Sequence, residues 1–117
     1  MENNFTTILA VESFLQENSL VINDVTYLRD FHAAEMYDIS LHTLHKLVMK
    51  NPARFPPDFV IKMPDNGYAF TYAGLMMLAG LVQSKRADQV SIQLIEYTVS
   101  VINKCGFSVF DLLAKDF

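Results

Sequence analysis

The spacing of apolar residues predicts that the chain begins with a helix and a β-hairpin. Residues 6–17 carry apolar side chains at helical spacing, with charged and amide side chains opposite. Two β-prone runs, 20–22 and 25–28, flank Asn23 and Asp24. An Asn-Asp pair between two such runs is typical of a two-residue hairpin turn.

The middle of the chain is predicted to form two helices and a second hairpin. Helical spacing extends over residues 31–37, where Asp30 is placed to cap the helix, and again over residues 41–50. Residues 59–63 and 68–70 are β-prone and flank a tetrad rich in turn residues. The second helix is therefore followed closely by a hairpin.

An uncharged stretch over residues 66–84 raises the question of a membrane span. Its densely apolar part, residues 72–82, is 11 residues long. A helix of that length rises about 16 Å, roughly half of a hydrocarbon core of about 30 Å. The pattern therefore predicts a buried core helix capped by Thr71, with no membrane partner.

The last long helix, over residues 87–104, has an unusually wide apolar arc. One side of this arc is the stripe of Ile92, Ile95, Val99 and Ile102. An arc this wide buries two faces, either inside the domain or against a second copy of the chain, and we interpret the stripe as a homodimer interface. Gly106 ends the helix, and residues 107–114 form a last short amphipathic piece. The whole order predicts an α+β fold, mostly helical with two short β-hairpins.

Length and composition favour a single globular domain. The chain has 117 residues, 51% of them apolar and 19% charged, which is sufficient for one hydrophobic core. We divide it into an N-terminal helix (1–19), a core (20–86) and C-terminal helices (87–117). The single cysteine, Cys105, excludes an internal disulfide and a cysteine-rich zinc module. The polar first residues do not resemble a secretory signal, so we expect a cytoplasmic protein.

Residues 30–50 fit the spacing of a helix-turn-helix. This motif needs a small residue, a turn residue and apolar inner positions, which Ala34, Asp38, Ile39, Leu44 and Leu47 supply. The same spacing fits an ordinary helical hairpin with a solvated polar face equally well. In the first interpretation the second helix presents hydrogen-bonding and cationic groups to DNA bases. These groups are Ser40, His42, Thr43, His45 and Lys46.

The distribution of charge also favours this segment as the part of the chain that contacts DNA. The chain carries a formal net charge of -4, which excludes a uniformly basic surface, yet residues 40–62 contain four cations against Asp58 alone, a net +3. Lys50, Arg54 and Lys62 are expected to contact phosphates, together with Lys46. Three acids on the preceding helix, Asp30, Glu35 and Asp38, oppose an approaching DNA backbone.

Three sequence blocks resemble a known family. They are AEMY at residues 34–37 followed by Ile39, KNPARFPPDF at residues 50–59, and AFTYAGLMML at residues 69–78 followed by SKRA at residues 84–87. In order and spacing they resemble the phage-associated ORF-six-N-type DNA-binding domain, a relative of KilA N-terminal and phage antirepressor modules. The resemblance covers about residues 25–100.

The resemblance implies a small domain of phages and mobile elements that binds DNA as a regulator or antirepressor. By position, Lys50, Asn51 and Arg54 match the polar cluster of the family. Four apolar residues match its core positions: Phe55, Phe59, Phe70 and Leu78. The chain departs from the family at Val48 and Met49, where further basic residues are usual, and it ends after two helices where a second domain often follows.

Other chemistry has little support in the sequence. His42 and His45 lie three residues apart, but no second pair with metal-ligand spacing accompanies them. There is no glycine-rich phosphate loop, so we expect no enzyme, no metal and no cofactor. We therefore predict a DNA-binding regulator that acts by occupying DNA. The alternative is a protein-binding antirepressor or anti-defence inhibitor that uses the acidic N-terminal part.

Overall fold

The computed structural model describes residues 8–104, and its side chains from Ala10 to Asn103. The predicted last piece, residues 107–114, lies outside these residues. The described elements, in chain order, are α1 (Ile8–Asn18), β1 (Leu20–Ile22), β2 (Val25–Arg29), α2 (Asp30–Tyr37), α3 (Leu41–Lys50), a 3-10 turn (Pro52–Arg54), β3 (Val60–Lys62), β4 (Tyr68–Phe70), α4 (Tyr72–Leu81) and α5 (Lys85–Lys104). The predicted α+β class, mostly helical with two short hairpins, is confirmed.

The four strands form one antiparallel sheet in the order β1-β2-β4-β3. The two hairpins are joined through β2 and β4, where Leu28 pairs with Phe70. The turn of the first hairpin has positive φ at both Asn23 and Asp24. These residue types tolerate the left-handed region, which a two-residue type I′ turn requires at both positions. The predicted hairpin is therefore confirmed in its turn as well as in its strands.

The helices pack around one hydrophobic core. Leu28 and Phe70 at the sheet, Leu44 of α3 and Leu78 of α4 are at most 1% exposed. Phe55 is also buried, and Phe59 packs against this core from a half-buried position. The four apolar positions that the family resemblance assigned to the core therefore all pack in it.

Tyr37 connects α2 to both C-terminal helices. Its buried hydroxyl donates to the carbonyl of Leu75 in α4, and its own carbonyl accepts a bond from Ser84 Oγ at 3.3 Å. Burial raises the pKa of Tyr37 above its ordinary value, so this hydroxyl stays a donor. Ser84 also accepts from the Ala87 N–H, which caps the start of α5.

The prediction that α4 is a buried core helix is only half right. Gly74, Leu75 and Leu78 are buried, but Met76 and Gly80 are exposed on the opposite side. The α4 helix lies at the edge of the core, so its uncharged outer face has no covering element in the described chain. No described helix is long and apolar enough to span a membrane.

Helix α5 has an inner and an outer apolar face. Ala87, Val90 and Leu94 are fully buried in the core. The predicted interface stripe lies on another side of the helix: Ile92 is 59% exposed, Ile95 53% and Val99 37%, with Ile102 half-buried. Most of the stripe is therefore left uncovered by the described fold.

Candidate nucleic-acid interface

The turn between α2 and α3 contains a left-handed residue at the position where the helix-turn-helix prediction placed the turn. Asp38 lies in the left-handed region with φ 57° and ψ 48°. Its N–H donates to the carbonyl of Glu35 at 3.2 Å, and the N–H of Ile39 donates to the carbonyl of Ala34 at 3.0 Å. This pair of bonds closes the end of α2 and turns the chain sharply. An aspartate therefore occupies the position where glycine is more usual.

The start of α3 is capped by the residue before it. Ser40 Oγ accepts from the Thr43 N–H at 3.0 Å and lies 2.8 Å from Thr43 Oγ1. A serine at this position satisfies one of the free N–H groups of the first turn. Ser40 is exposed, but its hydroxyl is engaged in this cap rather than free to meet a base.

The inner face of α3 holds it against the core. Leu44 is fully buried and Val48 is 6% exposed. Ile39 and Leu47 pack against the same core from half-buried positions. Because this face is inward, the opposite face of α3 is exposed to solvent. The side chains exposed there are His42, Thr43, Lys46, Met49 and Lys50.

Met49 was not among the predicted site residues. It is 69% exposed and lies on the same face as His42 and Lys46. A methionine at helical spacing is more often a core residue than part of a binding surface. The sequence contains one signal for this exposure. Met49 directly follows Val48, an inner-face residue, and successive residues of a helix point to different sides.

His45 is turned away from the exposed face. Its Nε2 lies 2.6 Å from Asp30 Oδ2, and its ring packs edge-on against Tyr68 with 5.2 Å between ring centres. Because an ionised carboxylate only accepts, the bond is donated by the imidazole N–H. The structure thus separates His45 from the other residues predicted to contact bases.

Asp30 is a buried carboxylate at the centre of a hydrogen-bond network. It is 1% exposed, and besides His45 it accepts from the N–H groups of Phe31 at 2.8 Å and Tyr68 at 3.0 Å. Burial by itself would raise the pKa of Asp30, but the bonds from His45 and the two N–H groups outweigh burial and hold this pKa below its ordinary value.

This network changes two expectations about Asp30. It is the first residue of α2 rather than its cap, and the preceding residue, Arg29, makes no side-chain cap bond. It is also buried and hydrogen-bonded, so it does not face the solvent beside α3. Of the three acids expected to oppose DNA, only Glu35 and Asp38 are exposed.

Arg29 joins the same network to the turn of the second hairpin. Its Nη2 lies 2.8 Å and 3.0 Å from the two carboxylate oxygens of Asp65 and 3.4 Å from Asp30 Oδ1. The hydrogen bond from Arg29 holds the pKa of Asp65 below its usual range. A Cβ at Gly67 would lie 2.7 Å from both Arg29 Nη2 and Asp30 Oδ2, so glycine leaves room for this approach.

The residues that follow α3 divide into a structural one and an exposed one. Asn51 Nδ2 donates to the carbonyl of Leu47 at 2.8 Å and closes the last turn of α3. Arg54, at the end of the 3-10 turn, is exposed. Asn51 therefore has a capping role in this fold, whereas Arg54 continues the cations of α3.

Lys62 lies on the side of the sheet that α3 covers. It pairs directly with Tyr68 across β3 and β4, and directly opposed residues in antiparallel strands point to the same face. The ring of Tyr68 contacts His45 of α3, so Lys62 projects from the edge strand on that same face. It is exposed, which adds a cation beside α3.

The cations of this surface are unpaired. Among the residues that the structure describes, none of the four makes an ion pair: Lys46, Lys50, Arg54 and Lys62. Arg29, by contrast, is held by two aspartates. We call the exposed face of α3 together with Arg54 and Lys62 the basic face. Within the described chain, no three His, Cys, Asp or Glu side chains gather in a way that would hold a metal ion.

Comparisons with known proteins assign this chain to no family. No protein-family model matches the chain, and neither a curated protein nor a solved structure matches it. The resemblance to the ORF-six-N-type domain therefore stays a prediction that depends on its three sequence blocks.

Proposed function

We propose that this protein is a small DNA-binding regulator that acts by occupying DNA with its basic face. The observation that carries the proposal is the set of four exposed, unpaired cations on and beside α3 in a chain whose net charge is -4. Unpaired surface cations gain by replacing the counterions condensed on a phosphate backbone. An acidic protein that gathers four unpaired cations on one face favours a polyanionic partner there.

The exposed face of α3 also offers groups that distinguish bases. His42 and Thr43 carry hydrogen-bonding atoms, and the Met49 side chain suits contact with a thymine methyl group. In this arrangement Lys50, Arg54 and Lys62 hold phosphates and fix the register of α3 in the major groove. No bond in the DNA is made or broken. The regulator works by covering a site or by displacing another protein from it.

A homodimer through the α5 stripe is part of this proposal. Ile92, Ile95, Val99 and Ile102 are spaced 3-4-3, a pattern that reads the same in both directions. Two α5 helices packed antiparallel about a two-fold axis would bring Ile95 opposite Val99 and Ile92 opposite Ile102. A groove of about 190 Å³ lined by Met76, Gly80 and Ile95, among others, extends this apolar surface. A dimer doubles the phosphate contacts of one subunit.

The proposal is tested by titrating a labelled random-sequence duplex and following its fluorescence anisotropy at about 50 and 200 mM salt. Four phosphate contacts per subunit predict that affinity falls by tenfold or more between the two conditions. Absence of binding at the lower salt concentration would contradict the proposal.

A second candidate function is a protein-binding antirepressor or anti-defence inhibitor. The observation that favours it is the exposure of four acids in the N-terminal part, Glu17, Asp24, Glu35 and Asp38, together with the exposure of the Phe31 ring. A protein partner with a basic surface would meet these residues. If DNA is not bound, replacing Glu35 and Asp38 with Lys should abolish binding of the protein partner in a pull-down. Lys46→Ala with Lys50→Ala should leave binding of that partner unchanged.

A further inference from the structure

A cavity of about 470 Å³ opens on the side of the molecule formed by α1, the first hairpin, α4 and α5. None of its lining residues belongs to α2, α3 or β3, so it is separate from the basic face. Its floor includes Leu28 and Phe70, the pair that joins the two hairpins, which are 1% and 0% exposed. The floor is therefore part of the hydrophobic core.

Aromatic rings make up one wall of the cavity. Tyr72 and Tyr97 lie with 5.9 Å between ring centres, and both line it. The hydroxyl of Tyr72 donates to the Leu94 carbonyl and accepts from Thr98 Oγ1, which fixes the ring. In the described chain the hydroxyls of Tyr27 and Tyr97 make no hydrogen bond, so they remain available to a ligand.

Among the residues that the structure describes, no charged side chain lines the cavity. Its polar residues are hydroxyl or amide groups, among them Gln16, Ser19 and Thr26. Burial raises the pKa of Tyr72, so this wall stays neutral at physiological pH. An ion entering the cavity would lose hydration without gaining a counter-charge, which disfavours charged ligands.

We propose that this cavity binds a small, flat, uncharged and mostly apolar molecule that carries one or two hydrogen-bonding groups. The volume lies in the range of small-molecule sites, which are typically about 300–1,000 Å³ and apolar with a few polar groups. The paired tyrosine rings favour stacking with a planar group, and the free hydroxyls favour a polar atom at its edge. This inference depends on the cavity alone and is independent of the proposed DNA contact.

The size of the cavity argues against a protein occupant. A stable protein interface buries about 800 Å² on each partner, far more than a concave site of this volume presents. The apolar surface that fits a second copy is the α5 stripe. None of its four residues lines this cavity, although Ile102 lies beside Tyr72 and Tyr97 in an adjoining groove.

The test uses 2-naphthol, a flat uncharged probe with one hydroxyl, titrated into the full ¹⁵N-labelled chain and followed by amide chemical shifts. We expect saturable shifts at lining residues such as Ser19, Thr26 and Tyr72, and an affinity at least about tenfold weaker for naphthalene-2-sulfonate, which adds a charge. Shifts that are absent, unsaturable or equal for both probes would overturn the proposal.

A variant that fills the cavity makes the test specific. Val21 lines the cavity and is 67% exposed, so Val21→Trp should fill the site without disturbing the core and weaken 2-naphthol at least about tenfold. The matched control is Val25→Trp on the same hairpin, where Val25 does not line the cavity. Thr26→Trp, opposite Val21 across the strands, is the second filling variant. If 2-naphthol still binds to both filling variants, the proposal is overturned. It is also overturned if the lining amides shift when the protein is diluted without probe, because that would indicate that a second copy of the chain occupies the cavity.

Discussion

At the scale of single residues, Asp30 connects α3 to the sheet. Its carboxylate receives bonds from the side chain of His45 in α3 and from the Tyr68 N–H in β4. Arg29 extends this connection to Asp65 in the turn of the second hairpin. One buried charge therefore links the exposed helix, the sheet and the hairpin that carries Lys62.

The variant Asp30→Asn should lower the free energy of unfolding at pH 7 by about 2 kcal/mol, because bonds to a charged acceptor are replaced by weaker neutral ones. Since the folded state holds the pKa of Asp30 below its ordinary value, the carboxylate stabilises the fold fully above about pH 3.9. That stabilisation is lost as pH falls through the lower, folded pKa. Urea unfolding at pH 7 and in the acid range measures both effects.

The matched control for Asp30→Asn is Asp58→Asn, the same change at an exposed carboxylate. It should alter stability by less than about 0.5 kcal/mol, as expected of an exposed site. A difference between wild type and Asp30→Asn that does not shrink towards acid pH would show that the carboxylate charge is not the cause.

The residues that sequence reasoning misplaced are those whose role depends on tertiary contacts. His45 and Asp30 are 15 positions apart and become partners only when α3 packs beside the start of α2. Helical spacing placed His45 on the exposed face, because it contains nothing about the acceptor that the folded chain supplies. Asp38 could be predicted, because its left-handed turn conformation is a local property of the chain.

At the scale of elements, Gly74 determines how closely α4 approaches the loop before β3. A Cβ at this position would lie 2.1 Å from the carbonyl oxygen of Phe59. That same oxygen accepts the Thr71 N–H at 3.0 Å, and Thr71 Oγ1 donates to the Asp58 carbonyl at 2.8 Å. The start of α4 is thus attached to backbone that cannot move away easily.

The variant Gly74→Ala should therefore destabilise the protein by about 2–3 kcal/mol through overpacking. Gly80→Ala, on the same helix, is the matched control, since its Cβ would meet nothing within 4 Å. Alanine has the higher helix propensity, so the control should stabilise by up to about 1 kcal/mol. Thermal or urea unfolding measures the stability of both variants. Equal changes in their free energy of unfolding would contradict the close approach of α4 to the Phe59 carbonyl.

Most elements could be predicted because their signals are local. Hydrophobic period, the Asn-Asp turn and the cap at Thr71 each act within a few positions and agree with the structure. The cap predicted at Asp30 does not, because its carboxylate is used by tertiary contacts. The pairing of β2 with β4 and the exposed outer face of α4 are long-range results. Sequence pattern alone does not indicate which neighbouring elements cover an apolar face. The hydrophobic pattern therefore predicted α4 to be more buried than it is.

At the scale of the whole molecule, the proposed homodimer depends on the exposed stripe of α5. The variant Ile95→Glu places a charge in the centre of the proposed antiparallel interface, and burying an unpaired charge is strongly unfavourable. We expect the variant to be monomeric where the wild type is a dimer, as measured by light scattering after size-exclusion chromatography. Gln89→Glu, an equal change of charge at an exposed position of α5 outside the stripe, should remain dimeric. A monomeric wild type would contradict this interface.

The central claim is that unpaired cations of the basic face neutralise phosphates. The most direct measurement is the slope of log affinity against log salt for a labelled duplex of about 30 base pairs, which spans about three helical turns. Each phosphate contact contributes about 0.9 to this slope, so Lys46→Ala with Lys50→Ala should reduce it by roughly two per subunit. Lys85→Ala, at an exposed lysine outside the basic face, should leave it unchanged. A slope that the double variant does not alter, or that Lys85→Ala alters equally, would contradict the account.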